Sequence, residues 1–394
     1  MTAPTNPDAE PVRASERQRA SGQARPAWPG NAMNSGHHDG DDSAGQQWLL
    51  KRLGSVTAVY TVAVFAAEVL FFSIRASDRF LTTNNLILTA QNVAVLTVVA
   101  CGATFVLITA GVDLSVGSVA ILGEVVAAKT IINAGGSGWF DAALGIAAGI
   151  GVGVLVGVIN GVGIAYLKVP PLIVTLGTML AGVSAAQIIT DGVNVPNRTL
   201  SRIGNGRVGG IPYIVLVGLG VVAVAGVLLH FTVFGRHTYA VGSNADAARR
   251  VGINVPGHLV KVYALAGALS GFGGVLSLAR FNTTSIGGHQ SDPLEAIAAA
   301  ALGGTSVFGG VGSIAGTVVG VWIPGVLRNG IIILGVQPYW QGIIIGLVLV
   351  ATVWFDQYRR RVAGGTGGLR RMRLRSTRPS HHPPTTTTKQ EGEP

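Results

Sequence analysis

The residues best placed to do chemistry lie in one apolar stretch, "TAGVDLSVGSVAILGE", Thr109 to Glu124. It holds two carboxylates, Asp113 and Glu124, and two hydroxyls, Ser115 and Ser118. A carboxylate at a bilayer centre costs about 2.5–3.5 kcal/mol on insertion scales, so such groups face a bundle interior or a watery path. Read as a helix over 113–133, the stretch puts Asp113, Gly117, Ala120 and Glu124 on one face, since their separations approach whole turns. Ser118 falls near that face and Ser115 off it. Gly-Val-Asp-Leu-Ser also resembles a helix start, with Asp113 as the N-cap. The acid then either closes a helix junction or lines and gates a path, and the two roles are compatible. A proton relay through Glu68, Asp113 and Glu124 is a further alternative.

These residues must be positioned by membrane spans. Only 12% of the 394 residues are charged, 48% are hydrophobic and 57 are glycine. Mean hydropathy is +0.50. A soluble domain carries about 25% charged residues, and abundant glycine suits helices that pack closely in lipid. The expected fold is an all-α polytopic bundle of about ten transmembrane helices, near 53–73, 85–109, 113–133, 139–166, 171–190, 211–233, 260–281, 293–308, 312–335 and 339–356. The short, Gly-rich segment 293–308 is also readable as a re-entrant half-span, which leaves eight or nine crossings. Five spans on each side of a central loop allow an inverted repeat. Residues 1–47 and 357–394 lack apolar runs and are expected to be disordered cytoplasmic tails. The membrane domain is expected over 48–356.

The net charge of +10 does not point to nucleic acid, because the basic residues cluster in the tails and connections. Lys51, Arg52, Lys168, Arg236, Arg249, Arg250, Lys261 and Arg359 to Arg361 fall on one side of a ten-span arrangement. That side is expected to be the cytoplasm, with both termini there; Arg198, Arg202 and Arg207 run against the rule. Cys101 stands alone, so neither an intrachain disulfide nor a cysteine metal cluster is expected.

The central loop 236–261 predicts a short capped helix. Ser243 or Asn244 suits the N-cap, Asp246 the first turn, and Arg249 and Arg250 the last. Gly252 suits a left-handed closure followed by Ile253, and Pro256 ends the helix. Ala245, Ala248 and Val251 or Gly252 form a small face suited to docking in a groove.

Three motifs in order carry a family resemblance over roughly residues 53 to 356. "VGSNADAARRVGINV" followed by "ALAGALSGFGGVL" resembles the central region of permease subunits of ribose- and xylose-type sugar ABC importers. "ITAGVDLSVGSVAIL" resembles that family's "GGIDLSVGS" signature, with Ala110 in place of its first glycine. "EAIAAAALGGTSVFGGVGSIAGTVVG", including Gly303, Gly304 and Thr305, resembles its Gly-rich C-terminal motif. Glu124 departs from the family, which usually has an uncharged residue there. The resemblance implies a paired permease in the cytoplasmic membrane, energised by a cytoplasmic ATP-binding subunit and fed by an extracytoplasmic sugar-binding protein. Asn244, Asp246, Ala248, Arg249, Arg250 and Gly252 are then the coupling residues. Asp113, Ser115, Ser118, Glu124, Asn160, Gly303, Gly304 and Thr305 are expected to line or gate the path. The chain has no G-x-x-x-x-G-K-[ST] phosphate loop, so no cofactor is expected on it and ATP belongs to the partner. A secondary transporter or channel driven by an ion gradient is the alternative. Gln91, Asn92, Thr104, Thr109, Thr175, Thr178 and Gln187 also lie in apolar runs, where they suit interhelical hydrogen bonds or the hydroxyls of a neutral sugar.

Overall fold

The computed structural model describes residues 61–337 together with 340, 342, 343, 346, 347, 350 and 354. The expected tails lie outside the described residues. Helix α1 is described over 61–75. It is followed by α2 (Ser77–Phe80), α3 (Thr83–Ile108), α4 (Val116–Ala134), α5 (Trp139–Ala165), α6 (Pro171–Thr190) and α7 (Ser201–Asn205). A two-stranded hairpin, β1 (Arg207–Val208) and β2 (Ile211–Pro212), leads to α8 (Tyr213–Phe231), α9 (Val233–Ser243), α10 (Ala245–Arg250) and α11 (Val255–Phe281). Helices α12 (Asp292–Leu302) and α13 (Ile314–Ile333) follow.

Among the described residues, seven helices are long and apolar enough to cross a membrane: α3, α4, α5, α6, α8, α11 and α13. The expected count of about ten is not reached on these residues. The first and last expected spans lie partly outside them. The eighth, 293–308, is the 11-residue α12. At ~1.5 Å per residue it is too short to cross a hydrocarbon core of about 30 Å, so the half-span reading fits it.

Glycine sets the packing. Gly145, Gly149, Gly153, Gly157 and Gly161 recur every four residues on α5 and form a ridge without side chains. A Cβ at Gly153 would stand 2.2 Å from the carbonyl oxygen of Gly267, and one at Gly157 2.2 Å from that of Tyr263. The two backbones therefore meet directly. The same ridge fixes the height of α4. Gly161 lies against Val260 near the start of α11, whereas Gly149 lies against both Val275 of α11 and Gly123 of α4. Helix α4 therefore begins about half-way along α11. Helices α3 and α4 are buried over most of their length, while α5, α6 and α8 present mostly exposed apolar faces, the pattern of a bundle facing lipid.

Candidate functional site

Helix α3 does not run on into α4. Its last turn closes by paired bonds, from Gly111 N to the Val106 carbonyl (3.1 Å) and from Ala110 N to the Leu107 carbonyl (2.9 Å), the Schellman pattern. Ala110 holds the left-handed position, at φ 61°. This is the residue that replaces the family glycine. The helix of 113–133 therefore begins only at Val116, and Asp113 is neither on the Glu124 face nor the N-cap. Ser115 is the N-cap, and Asp113 Oδ1 accepts from its backbone N (2.8 Å) and its hydroxyl (2.6 Å).

From there a buried polar chain crosses three helices. The Asn160 amide on α5 donates to Ser115 Oγ (2.8 Å), and Thr178 Oγ1 on α6 donates to Asn160 Oδ1 (2.8 Å). Ser118 Oγ donates to the Ser115 carbonyl (2.8 Å) and packs at Gly182 of α6. Four of the expected path residues, Asp113, Ser115, Ser118 and Asn160, are thus one cluster. Glu124 is apart from it. Its Oε1 accepts from Ser285 N (2.6 Å), and its Oε2 lies 3.9 Å from His289 Nε2.

A second break mirrors the end of α3. Helix α12 closes by bonds from Thr305 N to the Ala300 carbonyl (2.9 Å) and from Gly304 N to the Ala301 carbonyl (3.0 Å), with Gly304 at φ 93°. Gly303 abuts Gly316 of α13 too closely for any side chain. The buried Thr305 hydroxyl has no partner. The two breaks touch, as Gly310 N donates to the Ile108 carbonyl at 2.8 Å. Gly242, near the end of α9, fits between them: a Cβ there would stand 1.7 Å from the Ile108 oxygen.

The central loop is more helical than expected, and α9, α10 and the start of α11 fill it. Asn244 caps α10, its Oδ1 accepting from Ala247 N (2.9 Å). Asp246 and Arg249 pair at 3.2 Å on an exposed face. Gly252 closes the helix at φ 87°, with Ile253 N bonded to the Ala248 carbonyl (3.1 Å). Two expectations need correction. Pro256 does not merely stop α10; it sits in the first turn of α11, capped by Asn254. Ala248 is not on an open face, because it packs with Val241 and Val255 and anchors α10 to α9 and α11. The exposed residues of this corner include Ser243 to Ala247 and Arg249 to Gly252.

At the opposite end of the bundle, Arg280 of α11 bonds the side chains of Gln91 and Asn92 on α3. Gln91 also donates to the carbonyl of Gly204 on α7 (3.2 Å). Arg328 of α13 pairs with Glu295 of α12. Thr104 meets Thr317 of α13 at 2.7 Å, whereas Thr109 and Thr175 bond back into their own helices. His289, Ser285 and Asp292 were missed in the sequence. The available signal was a polar run, "GGHQSDP", placed just before a short apolar segment.

Residues 85–353 match the family described as branched-chain amino acid transport system / permease component. The chain belongs to this permease family. The ribose import permease protein of Bacillus subtilis is 37% identical to it, over 78% of this chain and 94% of that protein. The fructose import permease protein of Rhizobium meliloti is 33% identical, over 82% and 92%. The L-arabinose transport system permease protein of Escherichia coli is 38% identical, over 67% and 79%. No solved structure matches the chain. The resemblance carried by the three motifs is borne out, and the chain is a multi-pass transport component of the membrane.

Proposed function

We propose that the chain is the membrane-spanning permease subunit of an ATP-driven importer of a monosaccharide, a pentose such as ribose or xylose. The supporting observation is similarity to sugar import permeases along nearly their whole length. ATP is bound and hydrolysed by a separate cytoplasmic subunit, and an extracytoplasmic sugar-binding protein delivers the solute. Two copies of the permease enclose the path. The α10 end and both termini face the cytoplasm, where Arg236, Arg249, Arg250 and Lys261 cluster.

The coupling route follows from contact. The ATPase docks on the exposed side of α10, around Val251, Arg249 and Arg250. Motion of α10 passes through Ala248 to α9. From there Gly242 and Ser243 bear on the two helix breaks, at Ile108 and Gly310. Broken helices with irregular backbone at membrane depth are where transporters form and gate their solute paths. The Asp113–Ser115–Asn160–Thr178 chain holds the first break to α5 and α6, so the path residues move as a unit.

The test is uptake of radiolabelled sugars into proteoliposomes holding the permease, its ATPase and its binding protein. Uptake that needs ATP and all three components is expected. Uptake by the permease alone, driven by an imposed proton or sodium gradient, would overturn the assignment in favour of a secondary transporter.

A further inference from the structure

Helix α6 stands at the edge of the bundle. One side of it is packed. Gly182 closes on Ser118 of α4, and Ala186 packs with Ile121, Leu122 and Val125 of the same neighbour. The other side, Ile173, Gly177, Leu180, Ala181, Ser184 and Ile188, is exposed from end to end, a stripe at helical spacing. A Cβ at Gly177 would meet no atom within 4 Å.

This stripe differs in chemistry from the other outward faces. On α5, Asp141 and Asn160 are both buried. On α8 the polar side chains stand at the two ends, at Tyr213 and His230. Both helices thus turn hydrocarbon outward. Helix α6 turns out Ser184 and, beside it, Gln187, and neither makes a side-chain hydrogen bond among the described residues. Thr175, Thr178 and Thr190 of the same helix bond back to carbonyls of the preceding turn, so Ser184 is the one hydroxyl of α6 left open. It stands a turn and a half, ~9 Å, before the helix ends at Thr190, too deep for so short a side chain to reach water at the membrane surface. A hydroxyl held in hydrocarbon without a partner is costly. The stripe is therefore a face that something other than lipid covers.

What covers it is read from the stripe's own complementarity. It carries no charge, so an identical stripe is not repelled. The Ser184 hydroxyl and the Gln187 amide each donate and accept, so each can pair with its own copy across a twofold axis, the self-complementarity that an isologous contact requires. Gly177, Ala181 and Ser184 are small, which lets two such backbones approach until the polar groups are in reach. Thr178 lies at the edge of the stripe and donates to Asn160, which bonds Ser115. The buried polar chain from Asp113 thus ends at the border of this face.

We propose that the exposed face of α6 is the contact between two copies of this chain, α6 against α6 across a twofold axis, with Ser184 and Gln187 paired over it. This rests on the reading of a paired permease and deepens it: the polar chain of each copy reaches the border of the pair through Thr178, and the path runs beside α6, between the copies.

The experiment uses the full-length chain in its native membrane, with Cys101 replaced by serine. Gly177→Cys, Ala181→Cys, Ser184→Cys and Ile188→Cys are introduced one at a time. Leu155→Cys on α5 and Val224→Cys on α8, both exposed, are the controls. The membranes are oxidised with copper phenanthroline and run on a non-reducing gel. A disulfide between the same residue of two copies needs Cα atoms within about 7 Å of each other. At least one α6 cysteine should give a covalent dimer that reductant dissolves, and neither control should. Ala181→Trp puts bulk on the stripe and should leave the purified chain as single copies by native mass spectrometry, whereas Val224→Trp should stay paired. A mass of two copies for the unaltered chain with no cross-link at any α6 position, cross-links at the controls as strong as those on α6, or full pairing of Ala181→Trp would each overturn the α6 contact and leave the paired reading intact. A mass of one copy for the unaltered chain within a complex that transports would overturn the paired reading and the contact with it.

Discussion

Ala110 is where a single residue holds a conformation it disfavours. An L-residue with a Cβ at φ 61° costs about 1 kcal/mol relative to glycine. Ala110→Gly should therefore stabilise the end of α3 by about 1 kcal/mol, seen as a higher unfolding midpoint of the purified protein. A lower midpoint would mean that the Ala110 Cβ, which meets Gly309 across the two breaks, contributes more than the strain costs. Asp113 makes the complementary case. Asn at 113 keeps an oxygen for Ser115 N, so Asp113→Asn should retain most transport. Asp113→Leu strands two buried donors and should cost on the order of 2–4 kcal/mol, with transport lost. If Asn proves as damaging as Leu at normal expression, the carboxylate charge itself is required and the capping account fails.

At the scale of elements, α10 is six residues long, below the length at which a helix persists unaided. Its stability therefore lies in its caps and in the Ala248 anchor. Gly252→Val forces a β-branched residue to φ 87° and should fray the helix end by about 1 kcal/mol or more. Val251 is 78% exposed, so Val251→Glu leaves the fold alone and should reduce recovery of the ATPase subunit in a pull-down. Recovery equal to that of the unaltered chain would remove α10 as the docking element. Ala248→Glu cannot serve this test, since it would bury a charge among Val241 and Val255. The caps of α10 were legible in the sequence because capping is local, set by residue types a few positions apart. The start of α4 was not, because Asp113 imitates an N-cap while the left-handed turn at Ala110 and the bond to Ser115 N delay the helix. The half-length of α12 was legible as a short Gly-rich run. The bond from Arg280 to Asn92 was not, because the two residues stand 188 positions apart along the chain. No local pattern reports such a pairing.

Across the whole molecule, the helix pairs α3–α4 and α11–α12 run in opposite senses. Helix α3 descends toward the α10 end, breaks, and α4 climbs back from the middle. Helix α11 climbs away from the α10 end, and after segment 282–291 α12 descends from the middle. This is the relation expected of the second and third spans of one half with the seventh and eighth of an inverted repeat. It places the 109–115 break in the half of the bundle nearer α10 and the 282–291 turn in the half away from it. The arrangement requires the α7–hairpin region and the α10 corner to lie on opposite sides of the membrane, with α8 as the single crossing between them. Val208 in the hairpin is 54% exposed, and Ala247 is exposed on α10. With Cys101 replaced by serine, Val208→Cys should react with a membrane-impermeant maleimide added to spheroplasts. Ala247→Cys should react only after the membrane is opened. Placing the α10 corner inside puts Lys168, Arg236, Arg249, Arg250 and Lys261 on the cytoplasmic side and Arg75, Arg79, Arg198, Arg202 and Arg207 outside, five basic residues on each side among the described connections, so the labelling decides the orientation. The opposite labelling pattern would keep the fold and invert its orientation, removing α10 from reach of a cytoplasmic ATPase. Labelling of both cysteines from outside would mean that α8 does not cross, and the inverted pairing of α3–α4 with α11–α12 would fall with it.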